Sequence, residues 1–382
     1  MLKKEYDFSE FDSVSKEQWL EKVSLDLKGK PLDTLDWSLE GNQLTPFYTK
    51  EDIEGLPLSS VDKPSNWLNF QGLQASDLDF ADHVSQALNN GVDGLIVDFG
   101  KELNISKLKG IMPQHCHVSF QSEEGSYDLF RQYVEYLDGL KIDDNSINGL
   151  GFWNDLITID VSAKKIDIEW SNILKIIRLN KFSNFRNILI DTKHFNSKKL
   201  SPSTEIAYSL SLMVYIINYL IKEGIELKTA LDNVFFKVSP ASKYFVEIAK
   251  IRALKILVKE VFKQYDNSGD ASIPYIHSEI SNNKEEGYIS CTSEAMSTII
   301  GGVDSISINP NTGTSQNIRV SRNISNIIKE EAYLDKTSDA SSGSYFIEKL
   351  TYEISKSSWQ QFNDIESRGG FVESVKSGFF NQ

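Results

Sequence analysis

Short runs rich in β-branched and aromatic residues recur along this chain, separated by stretches with helical periodicity. "GLIVDF" at Gly94–Phe99, "CHVSF" around Val118, "LITIDV" around Ile159 and "NILID" around Leu189 are such runs. "VFFKVS" around Phe236, "IPYIH" around Tyr275 and "DSISIN" around Ile306 continue the series. Short apolar runs of this kind suit strands covered on both faces. Strands alternating with helices make a parallel sheet, because parallel neighbours must be joined by crossovers. About seven strands, one short of eight, lead to the expectation of an α/β protein, a (β/α)8 TIM barrel. An open doubly wound sheet is the alternative, and it is weakened because no Gly-rich dinucleotide fingerprint follows the first run.

Upstream of the repeating pattern the sequence reads as an N-terminal arm. Ser15 and Gln18 form a capping box, Trp19, Leu20, Val23 and Leu27 line one side of the helix that follows, and Gly29 and Pro31 stop it. A hairpin is expected around Gly41-Asn42, with Trp37, Leu39 and Leu44 alternating away from the turn. The division expected is residues 1–75 as a subunit-contacting arm and 76–382 as the barrel, starting with a helix from Ser76 to Asn89. Ile206, Leu210, Met213, Ile217, Leu220 and Ile221 make one face of a helix that also carries Ser209, Ser211 and Asn218, which points to a buried core helix rather than a membrane span. "NNKEEGYISCTSE", Asn282–Glu294, reads as a loop entering a helix at about Glu294.

Charge and cysteine content narrow the function. Forty basic residues against 54 acidic ones give a net charge of −14, which opposes nucleic acid or an anionic membrane as a partner. Two cysteines, Cys116 and Cys291, make no disulfide framework, and no Cys/His cluster has zinc spacing. The N-terminus lacks the apolar segment of a signal peptide, so a cytoplasmic protein is expected.

Few residues are candidates for chemistry. His115 and His117 would share a face of one strand, an acceptable pair of metal ligands without a third, and no metal site is expected. His194 and His277 fall near strand ends, where a barrel places its working groups, although by position alone a hydrogen-bonded structural role is the expectation favoured for each. Asp98 and Asp191 end strands and could act as acids or bases, or cap loops and pair with lysines. Arg252 lies in the middle of a helix expected from Tyr244 to Tyr265, and should be solvated or paired with a carboxylate such as Glu247. In "SDASSGSYFIEKLT", Ser344 or Ser342 is placed to cap a helix burying Ile347, Leu350, Ile354 and Phe362.

Phe245–Ala253 (FVEIAKIRA), Gly301–Ser305 (GGVDS), Arg322-Asn323, Gly343–Phe346 (GSYF), Ile365-Glu366 and Gly369-Gly370 occur in the order of motifs that mark the methylmalonyl-CoA mutase family. The N-terminal "WLEKVSLDLKGK" and "TPFYTKED" resemble the entry to that family's small subunit, so the resemblance runs over nearly the whole chain. It implies a (β/α)8 barrel that binds an acyl-coenzyme A through its centre and works with adenosylcobalamin in a radical isomerisation of methylmalonyl-CoA and succinyl-CoA. The cofactor carries the difficult chemistry in such enzymes.

Departures from the family pattern shape the role this chain is expected to play. The cobalamin-binding domain and its D-x-H-x-x-G signature are absent from the sequence, so adenosylcobalamin is expected in the complex but not on this chain. Against the catalytic G-Y-H-M-Q-E-A-G-A, this chain reads "TKHFNSKKL": His194 is kept, while Lys193, Asn196 and Ser197 replace tyrosine, glutamine and glutamate. Ser307 stands where the S-L-H-T-N histidine would be, and Ser290 where an arginine would be. "NWLNFQG", Asn66–Gly72, replaces the W-T-x-R-Q-Y stretch. A serine cannot supply the charge-assisted contact of a guanidinium. The expectation is a small, non-catalytic subunit in a heterodimer with the large catalytic one, with His194 the vestigial candidate residue and no cofactor-binding residues. The alternatives are an active acyl-CoA mutase barrel served by a separate cobalamin-binding chain, and a module that retains acyl-coenzyme A affinity.

Overall fold

The computed structural model describes residues 14–57, 66–100, 103–160, 162–196, 201–241, 243–265, 274–281, 287–310 and 313–381. Thirteen strands are found among them: β1 (Trp37–Leu39), β2 (Asn42–Leu44), β3 (Leu68–Gln74), β4 (Gly94–Asp98), β5 (His117–Ser122), β6 (Asn148–Trp153), β7 (Ile157–Asp160), β8 (Lys165–Ile168), β9 (Asn184–Arg186), β10 (Ile188–Asp191), β11 (Val234–Val238), β12 (Tyr275–Ser281) and β13 (Ser305–Asn309). Nine of these form one parallel sheet in the order β10-β11-β12-β13-β3-β4-β5-β6-β9. The ends of that order, β9 and β10, are consecutive pieces of one stave interrupted at Asn187, so the sheet closes into an eight-stave barrel wrapped by helices. Asn187 is buried; its N–H donates to the Asn233 carbonyl (3.1 Å) and its Oδ1 accepts from Trp153 Nε1 (3.1 Å), which satisfies the break.

The barrel begins earlier than the division at residue 76, because β3 lies inside the stretch assigned to the arm and pairs with both β13 and β4. Its mixed "LNFQGLQ" hides a strand whose Asn69, Gln71 and Leu73 face the helices while Phe70 and Gly72 face the axis. "LITIDV" is likewise not a barrel strand. Ile157–Asp160 pairs antiparallel with Lys165–Ile168 in an outlying hairpin with one buried face, and the fourth stave is "NGLGFW". That run carries two glycines for a steric reason: a Cβ on Gly149 would sit 2.2 Å from the Val118 carbonyl, and one on Gly151 would sit 2.1 Å from Trp153 Nε1.

The arm docks through a hairpin whose two turn residues are Glu40 and Gly41, one position before the expected pair; both have positive φ (56° and 81°). The Glu40 carboxylate accepts from the Ser203 backbone N–H (2.8 Å) and from its hydroxyl, so the hairpin caps the Pro202–Lys222 helix. That helix is long and apolar enough to cross a membrane, but 67% of its most apolar window is buried within the protein, as befits a core helix.

The helix Tyr244–Tyr265 is the main tie between chain segments. Arg252, 1% exposed, does not pair with Glu247: Nη1 donates to Asp339 (2.6 and 2.5 Å) and Ser341 Oγ (3.0 Å), and Nη2 to Glu348 (3.2 Å). Lys250 meets Glu247 (2.8 Å) and Glu205 (3.2 Å); burial opposes its charge, but the two carboxylates outweigh burial and raise its pKa. Lys255 reaches Asp304 (3.3 Å), which also accepts from the Ile276 N–H (2.7 Å). The motifs at Phe245–Ala253 and Gly301–Ser305 therefore supply Glu247, Lys250, Arg252 and Asp304 to these buried pairs. Ser344 is the N-cap residue of the Tyr345–Ser367 helix but makes no side-chain cap; Glu348 instead reaches back to the Gly343 N–H (3.0 Å). Ile347, Leu350, Ile354 and Phe362 are buried as expected.

Candidate functional site

Alternation along the staves sends every second side chain to the barrel axis and sorts these residues into layers. In the middle of the axis Phe70, Ile96, Leu150, Phe152, Leu189 and Phe235 form one apolar cluster, each no more than 8% exposed. His277 packs among them, its ring centroid 5.1 Å from Phe152 and 5.7 Å from Phe70. It is the third residue of β12, not its end, and lies below the mouth. Its Nδ1 is 2.8 Å from Ser305 Oγ and its Nε2 is 3.0 Å from Ser307 Oγ. Burial pushes its pKa down to about 3, so the ring is neutral, with one nitrogen donating and the other accepting.

One layer higher, at the C-terminal mouth, Lys237 Nζ lies 2.8 Å from Asp191 and 3.4 Å from Glu279, and Asn309 Nδ2 donates to Glu279 (3.2 Å). Burial works against the Lys237 charge, but Asp191 and Glu279 outweigh it and raise its pKa. For Glu279 burial is likewise outweighed by Lys237, and its pKa falls. The Lys237 ammonium is thus already held by two carboxylates, which leaves it little attraction to offer an anionic ligand.

The other candidate residues spread around this centre. Asp191 accepts from the Lys193 N–H (2.9 Å), and Asp98 from the Gly100 N–H (2.8 Å) and Gln74 Nε2 (3.2 Å), so both terminate strands by holding loops. His194 follows β10 in the short helix Lys193–Asn196, half-buried; burial lowers its pKa while Asp191 pulls the other way. Ser197 and residues 282–286 lie outside the described residues. Ser290 is on the Gly287–Gly301 helix, which begins well before Glu294, and its hydroxyl meets Glu294 (3.3 Å). His117 opens β5 whereas His115 precedes it, so the two do not share a strand face, and no group of three His, Cys, Asp or Glu placed to hold a metal is found among the described residues.

Lys237 and Glu279, the charged centre of the mouth, were not among the expected residues. Their signal was a charge within an apolar strand run: Lys237 in "VFFKVS" and Glu279 two positions after His277. A buried charge in a strand needs a partner, and the barrel supplies it from neighbouring staves.

Comparison with known proteins places this geometry. The sequence profile of the family described as methylmalonyl-CoA mutase matches residues 80–382. The chain is 27% identical to the methylmalonyl-CoA mutase small subunit of Porphyromonas gingivalis, over 98% of this chain and 66% of that one. It is 27% identical to the small subunit of Propionibacterium freudenreichii subsp. shermanii over 52% of this chain and 33% of that one. It is 25% identical to the large subunit of Streptomyces virginiae over 52% of this chain and 29% of that one. The chain spans less than two thirds of the length of these relatives. With a family match over most of its length and a closed parallel barrel to go with it, this chain belongs to the methylmalonyl-CoA mutase family.

Proposed function

We propose that the chain is the small, non-catalytic subunit of an adenosylcobalamin-dependent methylmalonyl-CoA mutase, working in the cytoplasm beside a large catalytic subunit. The observation that carries this reading is the filling of the barrel axis. An acyl-coenzyme A threaded along it would have to displace Phe70, Phe152 and Phe235, and its carboxylate would approach the Lys237 centre already neutralised by Asp191 and Glu279. The two ring nitrogens of His277 are both engaged by serines, which suits neither proton transfer nor cobalt ligation. These residues do not fit the cofactor. The role left to the chain is to fold with, and support, the subunit that does the chemistry.

The test is turnover. Purified chain supplied with adenosylcobalamin and methylmalonyl-CoA is expected to form no succinyl-CoA, while co-expression with a large subunit restores activity to the pair. Turnover by the chain alone would overturn the reading. The position of His194 beside Asp191 at the mouth favours a second reading, an active barrel served by a separate cobalamin-binding chain. His194→Ala in the reconstituted complex separates the two, since unchanged turnover removes the second.

A further inference from the structure

A groove runs down the outside of the barrel where its first and last units meet, between the Phe80–Leu88 helix and the Ser315–Glu330 helix. Its larger part encloses about 520 Å3 and is lined by Gln71, His83, Gln86, Gln316, Arg319 and Arg322. A second hollow of about 330 Å3 continues it past Gln71, His83 and Arg322 towards Asn69 and Gly313. Together these volumes fall within the range of small-molecule sites.

Its charge is unusual for a protein of net charge −14. Arg319 and Arg322 stand three residues apart on one helix, so they face the same way. No carboxylate pairs with either among the described residues. Arg322 makes only long contacts through Nη1, to Gln71 Oε1 (3.4 Å) and the Gln86 carbonyl (3.5 Å), and its Nε is buried without a hydrogen-bond partner. Burial and the neighbouring Arg319 both pull its pKa down, the mark of a cation held next to another. Asp77, on the wall of the second hollow, lies 3.5 Å from His83 Nδ1. The groove also takes in Ser315 and Gln316, at the positive end of a 16-residue helix, which adds to the same potential. Two like charges kept together at a cost, with open space in front of them, call for a ligand carrying more than one negative charge.

We propose that this groove binds a phosphorylated small molecule, with Arg319 and Arg322 as its anchors and Gln71, Gln86 and His83 as polar contacts. The site lies outside the barrel axis and does not depend on whether the axis is active. A ligand there would bridge the first and last helices.

Calorimetry on the full chain at low ionic strength, with inorganic pyrophosphate as the probe, tests it. Saturable binding is expected, weakened at least ten-fold by Arg319→Glu, a change at an exposed position that leaves the fold alone, and by Arg322→Gln. Citrate under the same conditions should bind at least ten-fold more weakly. No saturable binding by the unaltered chain, an unchanged affinity in Arg319→Glu, or citrate binding as tightly as pyrophosphate would each overturn the proposal.

Discussion

Replacing Arg252 by methionine removes the cation from the centre of a buried ionic cluster while keeping much of the side chain's length. The guanidinium is 1% exposed and holds Asp339 through Nη1 (2.6 and 2.5 Å) and Glu348 through Nη2 (3.2 Å), whose side chains are only 10% and 6% exposed. Deleting one member of a buried pair leaves its partner charged and desolvated, which costs about 3–5 kcal/mol. Here two carboxylates are orphaned at once, so a loss of about 4 kcal/mol is expected, on the order of a thousand-fold in the unfolding equilibrium. That is a large share of the roughly 5–15 kcal/mol that holds an ordinary domain folded. Equilibrium urea unfolding followed by tryptophan fluorescence measures it. The decisive comparison is the same substitution in an Asp339→Asn, Glu348→Gln background. There Arg252→Met should cost at least about 1 kcal/mol less, because no carboxylate is left stranded. A cost below about 1 kcal/mol in the unaltered background, or an equal cost in both, would refute the reasoning.

Other perturbations read other parts of the structure. Gly149→Ala forces a methyl group to 2.2 Å from the Val118 carbonyl and 2.4 Å from the Phe185 ring; a stave must shift, and a loss of about 3 kcal/mol or an insoluble product is expected on expression. Glu40→Ala unties the hairpin from Ser203, and limited proteolysis should cut the arm about ten-fold faster, matching the roughly 1.5–3 kcal/mol of a charged hydrogen bond at its lower end; an unchanged rate would mean the arm is held elsewhere. The folded-state pKa of His277 lies near 3 against an ordinary 6.5, so its contribution to stability is present above pH 6.5 and is lost as pH falls towards 3. His277→Gln should therefore flatten the fall of stability between pH 6 and pH 4 by up to about 1.4 kcal/mol per pH unit, and parallel profiles would count against a buried neutral histidine.

The legible parts of the fold were those where every residue of a run obeys one constraint. "GLIVDF" and "VFFKV" are apolar because both faces of their strands are covered, and the Tyr244–Tyr265 helix begins and ends at the expected residues. Strands with exceptions were hidden. β6 needs glycine where Val118 and Phe185 crowd it, and β3 carries asparagine and glutamine towards the seam between the first and last helices. "LITIDV" misled because a one-sided hairpin of Ile157 and Ile159 uses the same residue types as a barrel strand. At the site, the hydrogen-bonded structural role weighed for His277 is the one its two serine partners give it, and Asp191 ends a strand and pairs with a lysine as one reading had it. What no local pattern could reveal was that Lys237 and Glu279, far apart in sequence, complete that pair, since only the parallel pairing of β11 with β12 brings them side by side.

Closure at the seam also has a cost in time. The first stave meets the last only through pairs such as Leu68 with Ser305, and the indole N–H of Trp67 reaches Ser325 across 258 positions. On a ribosome adding about 5–20 residues per second, β3 would wait on the order of 10–50 s with one edge open before its partner exists. An exposed strand edge invites pairing with another chain. The polar Asn69 and Gln71 and the side-chain-free Gly72 make that edge a poor template for apolar association during the wait. A nascent chain halted just short of β13 would show whether Asn69 and Gln71, which meet Asn326 and Arg322 across the seam of the finished barrel, also matter before the barrel exists.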